Sequence, residues 1–419
     1  MKKIKLLLIL VTILGGNLVS AQSVVTPYSI LGVGDLAYEG FSHNQAIGEI
    51  GVGYSTIWHI NHNNPAWLYR NTFSTFQLSL EGESRRFATL ADSEGNGTAG
   101  LRTLALALPI ITNRLSTSFG ILPYSTVNYN ISSNKIIDGT EVNSSTNLRG
   151  QGGLTQAFFS SGLRIGKNFG VGVRAKYIFG TITATNGVIV NDTTILSDFQ
   201  TFFEQETSYN DLNLVGGLSY RKQVADDRIL SLGLTYEMAS GLEGSREEIV
   251  ERRTLNDFPI NTDTLATEEI FFEVPAKLSV GFYYEKVNKF GFGADVSFQD
   301  WSGSGFENGI ENFDNTIKIA VGGEYIPVYN DVNSYFKRAT YRAGLTYEQL
   351  PYLINNTKIT DFGINFGTSF PVGGLSSMDV AFKIGQRGTT ENELIRETYF
   401  KFVFGATIND RWFIRREYD

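Results

Sequence analysis

The feature that most constrains this chain is a two-residue alternation of apolar and polar side chains, sustained over segments of nine residues or more. In GFGADVSFQ (291–299), Phe292, Ala294, Val296 and Phe298 fall on one face, and Gly293, Asp295, Ser297 and Gln299 on the other. SMDVAFKIGQR (377–387) sets Met378, Val380, Phe382 and Ile384 against Asp379, Ala381, Lys383 and Arg387. GVGVRAKYIFG (170–180) opposes Val171, Val173, Ala175, Tyr177 and Phe179 to Arg174 and Lys176. NTIKIAVGGEY opposes Ile317, Ile319 and Val321 to Lys318 and Glu324. Successive side chains of a strand point to opposite faces, so each segment is a strand with one apolar and one polar side.

A soluble sandwich alternates too, and three further features select a transmembrane barrel. Many strands reach the ~9–11 residues that cross a bilayer at a tilt. Their apolar faces are rich in aromatics, as lipid-facing walls with interface girdles are. Connections alternate between tight turns, such as KN and VN, and long outer loops, such as 84–100 and 243–267. Within the second loop, SREEIVERR is expected as a solvated helical turn. Fourteen strands are expected: 72–83, 100–109, 113–137, 152–166, 169–190, 200–222, 228–243, 268–286, 288–302, 314–327, 335–350, 357–371, 376–388 and 393–409. Closure removes the edges that would invite aggregation. The expected fold is therefore all-β, an antiparallel transmembrane barrel at residues 72–409 with a periplasmic tail at 410–419.

The start of the chain differs in kind. Residues 1–21 read as a secretory signal peptide: Lys2, Lys3 and Lys5 precede an apolar run too short to span a bilayer, and Val19-Ser20-Ala21 supplies small residues for cleavage. The formal net charge of −8 falls to −11 when those lysines leave, which excludes nucleic acid as a partner. The chain has no cysteine, hence no disulfide or thiolate chemistry. Abundant glycine (44), phenylalanine (30) and tyrosine (20), with few prolines (9), fit strands joined by turns. Residues 22–71 alternate poorly yet carry apolar groups that need burial. Their expected place is the barrel lumen, as a plug whose irregular backbone the inner wall satisfies.

Within that plug, INHNNPAWLYRN (60–71) is a distinctive box. Pro65 fixes φ and removes a donor, while Asn63 and Asn64 can cap local backbone. Together with Ala66, Trp67 and Leu68 they form a turn expected to seat, or to gate, the plug beside the first strand. Asn-Pro-Ala followed by an apolar residue, the Ala46/Gly48/Gly51/Gly53 patch before it, and GQGGLTQAFFSSGLRIGKNFGVGVRAKYIFG (150–180) resemble the FadL-type outer-membrane transporters. Their superfamily includes the PorV-type barrels of a bacterial secretion system. Two residues depart from the family pattern: Glu49 intrudes into the glycine patch, and Trp67 replaces a small residue.

The chemistry of an enzyme is missing. The three histidines, His43, His59 and His62, all lie in the plug, so no barrel serine has a histidine from its own wall. His59 and His62 lack the third ligand of a metal site, and no cofactor is expected. Arg164, Arg174, Lys176, Arg221, Lys277, Lys318, Arg342, Lys383 and Lys401 share the inward faces with Glu237, Glu285, Asp295, Glu324, Glu348 and Glu397. Of these, Arg174, Lys176, Lys318 and Arg342 are candidate contacts for a ligand's anionic headgroup. Pro123 is the candidate strand interruption, because proline cannot donate to a central ladder.

Two functions fit, both for a monomeric barrel in the outer membrane of a Gram-negative bacterium. The first, implied by the resemblance, is passive uptake of small hydrophobic, fatty-acid-like molecules past the plug. The alternative is a non-transporting barrel that serves as scaffold or partner of a secretion or surface-assembly machine. A continuous apolar cavity between plug and wall would discriminate them.

Overall fold

The computed structural model describes residues 25–89, 93–136, 143–191, 199–254, 258–302, 305–306, 312–373 and 375–412. The expected signal peptide and most of the expected tail lie outside them. The chain forms a closed antiparallel barrel of fourteen strands. The first six are β1 (Ser74–Ala88), β2 (Ser93–Ile111), β3 (Leu115–Ile136), β4 (Asn143–Ile165), β5 (Phe169–Asn191) and β6 (Phe199–Ala225). Two follow with a break in the middle: β7 (Arg228–Glu237 and Ser240–Thr254) and β8 (Pro259–Val274 and Lys277–Lys286). The last six are β9 (Phe290–Gln299), β10 (Thr316–Tyr325), β11 (Thr340–Ile354), β12 (Thr357–Pro371), β13 (Ser377–Arg387) and β14 (Arg396–Asp410). β14 pairs with β1 from Arg396↔Ala88 to Asp410↔Ser74, so the ladder closes on itself.

The alternation sets the faces. On β9, Phe292 is 51% exposed on the outside and Asp295 is 6% exposed on the inside. Lys383 is buried in the lumen while its neighbour Ile384 is exposed. An outward band of Phe366, Phe382 and Phe402 stacks across three adjacent strands, with ring centroids 5.2 and 5.3 Å apart. A slip of one residue would reverse every one of these positions.

The outer segments differ from expectation. Where the expected loops 84–100 and 243–267 are described, at 84–88, 93–100, 243–254 and 259–267, they are largely paired backbone, with Arg86 opposite Gly95 and Arg246 opposite Glu268. SREEIVERR is strand: β7 is hydrogen-bonded there to β6 on one side and β8 on the other. Two ladders satisfy its peptide groups, and the Arg246–Glu268 ion pair of 3.2 Å works across strands where a helix would pair i with i+4. β6 is 27 residues long, far more than the ~9–11 that cross a bilayer. β3 to β8 therefore rise as a tall wall on the side opposite the tight turns at 112–114, 166–168 and 287–289.

Inside lie residues 25–73, with a short helix (Ser42–Ala46), a two-residue strand (Asp35–Leu36) and 3₁₀ turns at Pro27–Ile30 and Pro65–Arg70. Residues 41–55 and 59–69 are buried almost throughout. The plug backbone lies directly on wall glycines. A Cβ on Gly344 of β11 would stand 2.5 Å from the Gly48 Cα, and one on Gly281 of β8 would stand 2.6 Å from the Gly53 nitrogen. Real Cβ atoms do not approach so closely, so only glycine fits there.

Candidate functional site

The asparagine–proline box organises the base of the plug. Asn64 is the N-cap of the Pro65–Arg70 turn, where its Oδ1 accepts from the Ala66 N–H at 3.0 Å and Pro65 needs no acceptor. Its Nδ2 donates to the carbonyls of Val52 (3.1 Å) and Leu218 on β6 (3.0 Å). Trp67 Nε1 donates to the same Val52 carbonyl at 2.8 Å. Asn61 holds the preceding loop by donating to the Gly51 and Tyr54 carbonyls at 2.9 and 2.7 Å. Pro65 and Ala66 sit on Gly162 of β4, Gly170 and Gly172 of β5, and Gly217 of β6. The box thus lies against β4–β6, not beside the first strand as expected, because that is where the wall is stripped of side chains. Leu68 joins Phe41, Ile60 and Phe158 in an apolar cluster, and Asn63 stays half-buried near Tyr38.

The glycine patch makes a second anchor. The consecutive N–H groups of Gly51, Val52 and Gly53 all donate to the Asp295 carboxylate, at 2.6, 2.7 and 3.2 Å. Such a concavity of successive amides holds an anion without any side chain. Glu49, the residue that breaks the glycine pattern, adopts φ 64° and places its carboxylate between Lys318 (2.6 Å) and Lys383 (2.7 Å). Burial works to raise the Glu49 carboxyl, but the two lysines outweigh it and hold it well below the usual carboxylate range.

The four candidate headgroup contacts are already engaged. Arg174 and Lys176 meet the plug's Glu39 at 3.3 and 3.1 Å, and Lys176 also meets Glu237 at 2.5 Å. Lys318 holds Glu49 and, at 3.2 Å, Glu348; Arg342 holds Glu324 at 3.0 Å. Burial raises the Glu39 carboxyl less than Lys176 and Arg174 lower it, so it too stays ionised. Further clasps join residues that no local sequence pattern links. Arg387 reaches Asp35 at 2.8 Å, and Asp379 takes up His59, Ser42, Ser369 and Thr407. Period-2 alternation puts Arg387 and Asp379 on the inward face, but nothing local identifies their partners.

The histidines serve the same packing. His43 stacks on His59 with centroids 4.1 Å apart, and His59 Nε2 lies 3.3 Å from Asp379. Burial, with His59 beside His43 and Arg174 beside His62, depresses both His43 and His62 well below their ordinary value, so they are neutral. No cluster of three metal-ligating side chains occurs among the described residues.

Two features lie above these charges. Tyr124, Leu154, Ile178, Tyr209, Phe272 and Trp301 pack with Val33 of the plug into a buried apolar layer across the outer lumen. Between β2 and β3 the ladder runs only from Ile111↔Leu115 to Leu104↔Ile121. Pro123 stands just beyond, next to a bulge in the β3–β4 register between Pro123 and Ser125. There the plug takes over the edge: Asp35 and Leu36 pair with Thr126 and Ser125, and the Ala37 N–H donates to the Tyr124 carbonyl at 2.9 Å. One cavity between plug and wall, of about 210 Å³, is lined by Glu39, Glu49, Arg174, Lys318, Lys383 and Arg387 among others.

A closed fourteen-stranded barrel with its N-terminal segment folded into the lumen has the FadL-type fold. The Pseudomonas aeruginosa FadL homologue is similar at a TM-score of 0.60 and 14% identity, covering 89% of this chain and 98% of that one. The monoaromatic hydrocarbon channel CymD gives 0.56 at 14% (91% and 99% covered), and the Ralstonia pickettii toluene transporter TbuX 0.55 at 15% (89% and 99%). No curated protein matches the chain by sequence. The family is nonetheless shown: the BamG family model matches residues 1–419, and the protein belongs to the BamG family.

Proposed function

We propose that this protein is a sealed outer-membrane barrel that acts as a scaffold or partner of an export or surface-assembly machine, without catalysis and without passing solute. The polarity of the lumen carries this reading. The cavity of about 210 Å³ is smaller than the ~300–1,000 Å³ of typical ligand pockets, and ion-paired Glu39, Glu49, Lys318, Lys383 and Arg387 border it beside Tyr124, Val274 and Trp301. Above the charges, Tyr124, Leu154, Phe272 and Trp301 pack with Val33 of the plug into a buried apolar cluster. The outer wall supports the same role. Residues 258–269 of the β7–β8 hairpin are exposed on both strand faces and present Phe258, Ile260 and Leu265 to a partner.

A second reading, uptake of small hydrophobic molecules, is favoured by the seam at Pro123 and by the fold shared with hydrocarbon channels. Entry there would have to peel Asp35–Leu36 from β3. One experiment separates the two. Liposomes containing the refolded full-length protein are assayed for uptake of a hydrophobic aromatic probe, beside crosslinking of the tagged protein in native outer membranes. The scaffold reading expects uptake no faster than in empty liposomes, and a discrete crosslinked complex. Saturable uptake by a protein that crosslinks to nothing would overturn it.

A further inference from the structure

The tight-turn end of the lumen carries a second cavity, of about 200 Å³, between the Pro65–Arg70 turn and the wall. Its lining includes Arg70, Arg164, Lys167, Arg221, Tyr69 and Asn113. Four cations thus converge on one space. Glu285, 3.0 Å from Arg221, is the one carboxylate paired to any of them among the described residues. The contrast with the middle of the lumen is sharp, where Arg174, Lys176, Lys318, Arg342 and Lys383 each have a carboxylate.

The geometry leaves donors unused. The Nε–H groups of Arg164 and Arg221 are buried with no hydrogen-bond partner. Arg164 is held from behind: its Nη2 donates to the Lys167 carbonyl at 2.6 Å, and its guanidinium lies 5.9 Å from the Tyr69 ring centroid. Arg70 is fixed by Nη1 donating to Ser55, at 2.5 Å to both its carbonyl and its hydroxyl. The Arg164 and Arg221 guanidinium groups thus each keep a buried donor for which an oxygen ligand in the cavity can be the acceptor. Burial, and after it the nearby Arg221, push the Arg70 guanidinium down to about 10.

We infer that this cavity is an oxyanion site for a phosphate group at the periplasmic mouth of the barrel. Three uncompensated positive charges match a dianion better than a single carboxylate. Guanidinium forks from β4 and β6 can donate to different oxygens of one tetrahedral group. The phosphate can come from free inorganic phosphate or from a phosphomonoester headgroup of a lipid.

The test uses the full-length protein refolded in a phosphate-free, non-ionic detergent. Inorganic phosphate, short-chain phosphatidic acid and acetate are titrated at constant ionic strength, read by ³¹P line broadening and by thermal midpoint. Saturable phosphate binding at least tenfold tighter than acetate is expected. Arg164→Gln with Arg221→Gln should weaken it more than tenfold. Lys167→Gln, on an exposed turn and safe for folding, should weaken it several-fold with unchanged heat-modifiable gel mobility. Binding of phosphatidic acid alone supports the site and assigns it to lipid. Binding of inorganic phosphate supports it with a soluble source. Absence of saturable binding by both, equal affinity in the variants, or acetate or an acidic peptide competing as well as phosphate overturns it.

Discussion

The two faces of the barrel wall obey different rules, although they alternate along the same strands. The outer face is generic. Phe366, Phe382 and Phe402 need only be apolar, and many side chains would serve. The inner face is specific to this plug: glycines where backbone touches backbone, and charges where a named plug residue meets them. Stability of the barrel and positioning of the plug are therefore separable, and substitutions on the two faces should separate them.

The largest effect is expected at Glu49. Glu49→Ala leaves Lys318 and Lys383 facing each other without their shared partner, and breaking a buried pair costs ~3–5 kcal/mol. The loss should fall on the plug. Amide exchange over residues 41–55 should accelerate by orders of magnitude while β1–β14 stay protected. Adding Lys318→Met and Lys383→Met should restore much of it, because the cost is an uncompensated charge. Acid should act in the same direction. Buried neutral His43 and His62 favour the folded plug above their ordinary value of 6.5, and that contribution fades as pH falls below it. Glu39 and Glu49, both depressed, contribute fully above 4.5, and their share is lost as pH falls through their folded values. Plug protection that is flat from pH 7 to pH 3 would contradict this ionic account.

Next in size is the lipid face. Phe382→Arg should cost ~2–4 kcal/mol near the bilayer midplane. It should lower the whole barrel's unfolding midpoint and leave the ratio of plug to wall exchange unchanged. An effect confined to residues 41–55 would mean that the faces are not independent.

Smaller again is the box. Asn64→Ala removes donors to the Val52 and Leu218 carbonyls and the acceptor of the Ala66 N–H, for ~1–3 kcal/mol. With Pro65→Ala added, heat resistance should stay near wild type, since the closed ladder carries it. Probe uptake should remain at background in both forms. Uptake that appears or changes in the double variant would make the box a gate and favour transport.

What could be read from the sequence follows the same division. The lipid face was readable because alternation is local, and Phe292 and Asp295 were assigned to opposite faces by their spacing alone. The Asn64–Leu68 turn and the glycine patch stood out as unusual backbone. Glu49 stood out as a departure, yet its partners lie some 270 and 330 residues away and no local pattern joins them. The glycine track at 162, 172 and 217 was equally silent, since each glycine alone resembles a turn. The tall β7–β8 hairpin is illegible for the opposite reason. From 258 to 269 both faces meet solvent, so there is no alternation to read.

That hairpin should give the smallest effect on stability. Leu265 is 61% exposed, between neighbours that are exposed on both strand faces, so Leu265→Ser exchanges one exposed side chain for another. Surface changes of this kind stay within about 0.5 kcal/mol, so neither the barrel midpoint nor the plug exchange should move. A protein that needed only a solvent-exposed segment would lose nothing else. A scaffold that docks a partner on this edge would lose binding, because Phe258, Ile260 and Leu265 are large apolar groups concentrated on one exposed segment, 258–265. Crosslinking yield from native membranes is the measurement. A drop with Leu265→Ser and Phe258→Ser, at unchanged stability, places the partner on the outer wall. An unchanged yield with both variants moves any partner to the tight-turn rim or the lipid face, and leaves the tall hairpin with no role in docking.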